Sequence, residues 1–172
     1  MKIILPLSIS IPRKNKDDKV FTLNLNIYRN THHFVLNKAK ELWKNVVKNA
    51  LDSSETLNPP FHFTYTIYQS SGRAFDVSNV CSIIDKFTAD ALQEFGVIPN
   101  DNYKYIPIIT YKFGGIDKEN PRAELEIREL RKLQNGEQNE KGMPVSSPWE
   151  YCKKIIELEN AQSAEEKKKC TA

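Results

Sequence analysis

The sequence predicts an α+β fold: a mixed β-sheet with two main helices packed on it and a helical extension at its C-terminal end. Three observations carry the prediction. Residues 61–68, FHFTYTIY, alternate side chains at the period of a strand. Residues 37–51 and 78–95 each carry an apolar stripe at helical spacing. These patterns interleave in the order β–(β)–α–β–α–β–β, which suits helices laid on one mixed sheet.

Taken in order, KIILPLSIS at 2–10 reads as a strand, placed at a sheet edge by Pro6. PRKNKDDK at 12–19 reads as a polar loop, and FTLNLNIYR at 21–29 as extended chain. From Asn37 to Leu51, Ala39, Leu42, Trp43, Val46, Val47 and Ala50 share one helical face. DSSETLNPP at 52–60 is a loop and QSSGR at 69–73 ends the strand that begins at Phe61. Val80, Ile83, Ile84, Phe87, Ala91, Leu92 and Phe95 form the longer stripe, with Gly96 as its stop signal. YKYIPIITYKF at 103–113 reads as a strand, GGIDKENP as a turn, and RAELEIRE at 122–129 as the last strand. The domain is expected to span 1–130. Residues 131–147 are polar and aperiodic, the composition of a linker. Ser147, Pro148 and Glu150 then open a helix as a capping box, so 148–172 reads as a C-terminal helix with a frayed tail.

The chain has 172 residues, 40% hydrophobic and 27% charged, within the range of a soluble globular domain that needs no disulfide or metal to fold. Its three cysteines, Cys81, Cys152 and Cys170, have neither zinc spacing nor a disulfide framework, which points to a reducing, cytoplasmic setting. No stretch is long and apolar enough for a membrane span, and the start lacks the features of a signal peptide. The net charge of +3 is unevenly spread. Residues 1–50 carry ten Lys/Arg against three Asp/Glu, and residues 51–100 carry two against six. A basic segment beside an acidic one suits an enzyme that holds a polyanion and a metal, and equally describes two solvated surfaces.

The acidic residues bracket the second helix. Asp76 precedes it, Asp85, Lys86 and Asp90 lie within it, and Asp101 follows it, 25 positions after Asp76. A helix from 78 to 95 is about 27 Å long. Asp76 and Asp101 therefore meet only if the next strand returns antiparallel along the sheet. Asn79, Ile83, Lys86 and Asp90, spaced four, three and four, lie along one line of the helix. Magnesium favours a few carboxylates with water and phosphate oxygens, and a nearby lysine stabilises charge on a phosphate. The same residues also describe an N-cap, an i,i+4 pair and a turn signal.

The stretch FDVSN…DKFTADALQEFGVIPNDNYKYI resembles the signature of the RusA family of Holliday junction resolvases, found in phages and prophages. That signature is approximately Asp-x-Asp-Asn, a lysine, Asp-Ala-Leu, a Gly-Val turn and an acidic pair entering a strand. The resemblance covers roughly residues 1–128, including LNIYRNTHHFVLNKAKELW and FGGIDKENPRAELEI. It implies a homodimeric, Mg²⁺-dependent α+β endonuclease, with Mn²⁺ as a substitute ion, that cuts four-way DNA junctions in recombination and repair. It assigns Asp76 and Asp101 to the metal and Lys86 to catalysis beside them, and Asn79 matches the asparagine of the motif. Two departures stand out. Ser78 occupies the place of the second aspartate, and the segment between Asn79 and Lys86 is four residues longer than the pattern. A serine is a weaker ligand than a carboxylate. Ser78, Asn79, Asp85 and Asp90 are thus candidates for the metal or its surroundings, with Asp85 a stand-in for the missing carboxylate. A junction-binding protein with weak or lost cutting is the alternative.

Arg29, His32, His33, Lys38, Lys40 and Arg73 are the candidate DNA contacts. Lys40, Lys44 and Lys48 form a row at steps of four that also reads as a solvated face. Tyr28, Tyr65, Tyr68 and Tyr103 are candidates for stacking on opened bases, although the alternation of its strand places Tyr65 in the core.

Overall fold

Nine elements appear in the computed structural model, which describes residues 1–51 and 57–130. Three strands come first: β1 (Lys2–Pro6), β2 (Ser8–Arg13) and β3 (Lys16–Thr22). Helices α1 (Leu25–Asn30) and α2 (His33–Ala50) precede β4 (Phe61–Gln69), and α3 (Val77–Glu94) precedes β5 (Ile108–Ile116) and β6 (Arg122–Glu129). The expected linker at 131–147 and the capped helix and tail at 148–172 lie outside the described residues. Residues 1–129 form one compact unit.

The main sheet has the order β1-β6-β4-β5. β6 is antiparallel to both β1 and β4, whereas β5 is parallel to β4. Pairing register carries side chains across the strands in rows. Ile3, Leu125, Tyr65 and Tyr111 form one row, and Leu5, Ala123, Ile67 and Phe113 the next. In β1, β6 and β4 these residues are buried together with Phe61, Phe63 and Ile127. Each fully buried Ile or Phe of this kind contributes roughly 1.5–3 kcal/mol.

The helices close the core. Ala39, Trp43 and Val47 of α2, one face at steps of four, are buried. Nine of the 18 residues of α3 are buried, so that helix is covered on more than one side. Trp43 Nε1 donates to Thr88 Oγ1 at 3.1 Å, pinning the two helices through an interior hydrogen bond. Phe87 stacks on Phe21 and meets the edge of Tyr28. The α3 terminus forms a Schellman motif: Val97 N donates to Leu92 O, Gly96 N donates to Gln93 O, and Gly96 takes φ +72°.

Four local expectations are corrected. The first strand breaks at Leu7 into β1 and β2. The loop expected at 12–19 is a hairpin that pairs Ile9 with Phe21 and Ile11 with Lys19, closed by Lys14–Asn15. Only Phe21 of β3 is buried, so that strand leaves no apolar alternation to read. Of the extended chain expected at 21–29, residues 21–22 do end β3, but Leu25 onward becomes α1, because Asn24 Oδ1 accepts from Asn26 N and caps a short helix. β5 starts at Ile108 and continues through Gly114 and Gly115. Asn100 Oδ1 accepts from Asn102 N, and Asn102 Oδ1 accepts from Lys104 N, which folds the preceding residues into turns.

Thr88→Val tests the interior bond. The change keeps the shape but strands a buried indole N–H. The folded state is expected to lose about 1–3 kcal/mol, measured by urea denaturation.

Candidate functional site

The loop after β4 ends at Asp76, which caps α3. Its Oδ1 accepts from Ser78 N at 2.9 Å, Ser78 Oγ at 2.8 Å and Asn79 N at 3.4 Å. These bonds, the Ser78 hydroxyl foremost, hold the Asp76 carboxyl below its ordinary value. All three fall on Oδ1, and Oδ2 takes no part in them. The Ser78 hydroxyl is itself engaged, since it donates to its neighbour's carboxylate.

Asp85 sits nine residues further along α3. That is about 13 Å along the axis and half a turn around it. It is the charged residue of the buried stripe that includes Cys81, Ile84, Thr88 and Leu92, and it faces the sheet. The sheet register puts Tyr65 and Tyr111 side by side beneath it, their rings 6.0 Å apart and edge to face. Tyr111 Oη donates to Asp85 Oδ2 at 3.0 Å. The Tyr65 hydroxyl is turned toward the same carboxylate, but it and Asp85 Oδ1 are both sequestered without a well-formed hydrogen bond. Desolvation raises the Asp85 pKa, and the two phenols work against that shift. Asp101 raises it further and Lys86 lowers it, so both charges are felt at Asp85. Burial together with the Asp85 charge pushes both tyrosines up and the Cys81 thiol up to about 12.

The structure therefore groups Asp85 with Tyr65 and Tyr111, and the charges of Lys86 and Asp101 are felt there. It holds Asp76, Ser78 and Asn79 as a cluster at the helix cap. An antiparallel return was the route expected to join Asp76 to Asp101. Instead β5 runs parallel to β4 and α3 makes the return. Asp76 follows the C-terminal end of β4, whereas Asp101 lies four residues before Tyr105, whose carbonyl accepts from Phe61 N at the opposite end of β4. Asp90 turns to α2 and pairs with Lys40 at 3.3 Å. Of the line drawn through Asn79, Ile83, Lys86 and Asp90, Ile83 is buried and Lys86 is exposed.

Among the candidate DNA contacts, Arg29 ends α1 and is exposed. His32 caps α2, its Nδ1 accepting from Phe34 N at 3.4 Å. The His32 ring stacks on Phe34, the His33 ring meets both at a tilt, and Phe34 is exposed. Lys38 Nζ donates to Pro12 O, and Arg73 is exposed in the loop after β4. Lys40 lies over the Phe87 ring while paired with Asp90, so its charge is partly spent within the fold. Lys44 bridges Glu41 and Glu94. Of the candidate stacking residues, Tyr65 is core, Tyr28 meets Phe87, and the Tyr68 ring lies 4.2 Å from the Arg122 guanidinium carbon. Tyr103 is exposed.

Among the described residues, no three His, Cys, Asp or Glu side chains form a ready-made metal cage. Magnesium requires only one or two carboxylates, the rest being water and phosphate. An unpaired Asp85 oxygen within the electrostatic reach of exposed Asp101 fits that donor set. Tyr111 is the residue that sequence reasoning passed over. The available signal was Asp85 itself, a charge at i+4 from Cys81 and i−3 from Thr88 inside an apolar stripe, which demands a polar partner on the facing strand. Among the described residues, no helix is long and apolar enough to cross a membrane. No protein-family model matches the chain, and no curated protein sequence matches it.

Burial raises the Asp85 pKa, so the folded chain favours its protonated form. Stability from this group is fully present below the unfolded value of about 3.9 and is lost as pH rises through the folded value. In chelator-containing buffer, Asp85→Asn is expected to melt above wild type at pH 7. Thermal scans are expected to show that gap closing by about pH 4.

Proposed function

We propose that the chain is a RusA-like, Mg²⁺-dependent endonuclease that binds four-way DNA junctions and hydrolyses phosphodiesters across them. The observation that carries this reading is the arrangement on α3: a half-buried carboxylate with an unpaired oxygen, under the influence of exposed Asp101 and Lys86. A carboxylate raised by burial next to a second acid and a lysine is an arrangement that phosphate chemistry uses. The signature resemblance assigns the ion to Asp76 and Asp101, but these acids lie at opposite ends of β4, so in this reading the ion sits with Asp101 and Asp85 while Asp76 caps α3. When bound, the ion supplies charge neutralisation on the phosphate and a more acidic water. Lys86 is free to swing its ammonium onto a phosphate oxygen, stabilising the charge that develops there. Arg29, His32, His33, Lys38 and Arg73 contact the DNA backbone in this reading, with Lys40 available once released from Asp90. A homodimer supplies one such centre to each of two opposed strands. The exposed apolar residues Ile109, Phe113 and Ile116 on β5, the edge strand of the sheet, favour a second copy as the neighbour.

A synthetic four-way junction with one labelled strand tests the assignment. Nicking is expected with Mg²⁺ or Mn²⁺ and none with chelator. Asp85→Asn and Asp101→Asn are each expected to abolish it. Undiminished cutting by both variants would overturn the site.

The bonded state of Ser78 favours a second reading. Its hydroxyl serves the helix cap where the family signature has a carboxylate, which is the pattern expected of a junction-binding protein that cuts poorly. Ser78→Asp decides between the two. If wild type binds junctions without cutting and the variant gains metal-dependent nicking, the binding protein is the correct description. Cutting by wild type removes that reading.

A further inference from the structure

Lys2, Lys40, Lys44, Arg122 and Arg128 are each paired with an acid. The β2–β3 ribbon differs. Every residue from Pro12 to Val20 is exposed, and Lys14, Lys16 and Lys19 enter no ion pair among the described residues. Arg13 Nε donates to the Asp17 carbonyl, a neutral partner that leaves its charge uncancelled. Asp18 accepts from the Ser10 hydroxyl. From residue 12 to 38, six Lys/Arg stand against two Asp. Beside the ribbon lie three exposed rings. His32, His33 and Phe34 have centroids 4.2–5.2 Å apart, and Phe34 is 72% exposed. Lys38 joins the two features. It follows Phe34 by four residues, so it shares that face of α2 about 6 Å along the axis. Its Nζ donates at 2.7 Å to the Pro12 carbonyl, two residues before the ribbon's turn at Lys14–Asn15. Rings and ribbon therefore adjoin. Uncancelled cations hold phosphates, and open ring faces stack on bases that are not already stacked in a duplex. An acidic protein segment would satisfy the cations and leave the rings without a matching face.

We propose that the β2–β3 ribbon and the His32–His33–Phe34 rings form one single-strand-binding surface, which takes unpaired DNA with its phosphates along Arg13, Lys14 and Lys16 and its bases on the rings. The inference rests on the DNA reading above for the source of the unpaired strand. It moves His32 and His33 from backbone contacts to base contacts and adds Phe34 and the ribbon to the interface. Stacking tolerates any base, so the surface selects an opened strand rather than a sequence.

Fluorescence anisotropy of a labelled oligothymidylate about 15 nucleotides long, with the full chain in chelator, tests the surface. Wild type is expected to bind it more tightly than a duplex of the same length. Phe34→Ala is expected to weaken single-strand binding about tenfold with its salt dependence unchanged, whereas Phe34→Trp keeps the affinity. Lys14→Ala combined with Lys16→Ala is expected to flatten the slope of log affinity against log salt by about 1.4, at about 0.7 for each phosphate contact. All three positions are exposed, and circular dichroism checks that each variant is folded. Equal or tighter binding of duplex overturns the surface, as does wild-type affinity in folded Phe34→Ala. An unchanged slope in the lysine variant overturns it too, and so does equal affinity for polyglutamate, which carries charge without bases. Junction cutting is measured separately with Mg²⁺. A chain that binds single strands through Phe34 yet nicks no junction loses the nuclease reading alone. A chain that nicks junctions while Phe34→Ala binds single strands as wild type does loses this surface alone.

Discussion

Neighbouring strands that point the same way cannot be joined by a tight turn. β4 and β5 are such a pair, and the chain between them must travel the length of the sheet and back. α3 is that return. Everything that matters about this domain follows from the requirement. The helix must lie across the sheet, so it carries apolar residues toward β4 and β5. It must also accept α2 on another side, which Trp43 and Thr88 accomplish with a single interior hydrogen bond. A Schellman motif stops it, and turns built on Asn100 and Asn102 lead into β5.

Three aspartates on or beside α3 then acquire three chemistries from one side chain. Asp76 meets three donors at the helix terminus, and its charge is favoured. Asp90 faces a lysine across a solvent-open cleft, where an ion pair of that kind contributes little. Asp85 is pressed against two phenols in the interior, and its charge is disfavoured. The difference lies wholly in where the helix turns each residue. A half-turn of rotation separates Asp76 from Asp85, and 140° separates Asp85 from Asp90.

Periodicity found the elements with one buried face and missed those without. β6 and α2 alternate or repeat plainly because one face of each is pressed into the core, and β4 and α3 keep the pattern although they are covered on more than one side. β3 is exposed along nearly all its length and is held by backbone pairing, which leaves no apolar signature. α1 was hidden by the alternation of Leu23, Leu25 and Ile27, and the Asn24 cap decided the conformation instead. The site was read in part. Asp85, Lys86 and Asp101 were visible as residue types near one helix. Their grouping was not, because it depends on a strand direction that alternation cannot report and on a register that places Tyr111 beside Tyr65.

The order of the sheet has a consequence for how the chain is made. β6, last of its strands to be synthesised, is inserted between β1 and β4, and the Met1 carbonyl accepts from Ile127 N. A ribosome-bound chain that has reached β5 therefore holds β1 without its one sheet neighbour and β4 with only one of its two. Local helix contacts form early, whereas the sheet closes in one late step that spans nearly the whole domain. The sheet of this unit thus closes only once β6 has been made, and any product that stops short of residue 122 leaves β1 and one edge of β4 unpaired and exposed to aggregation.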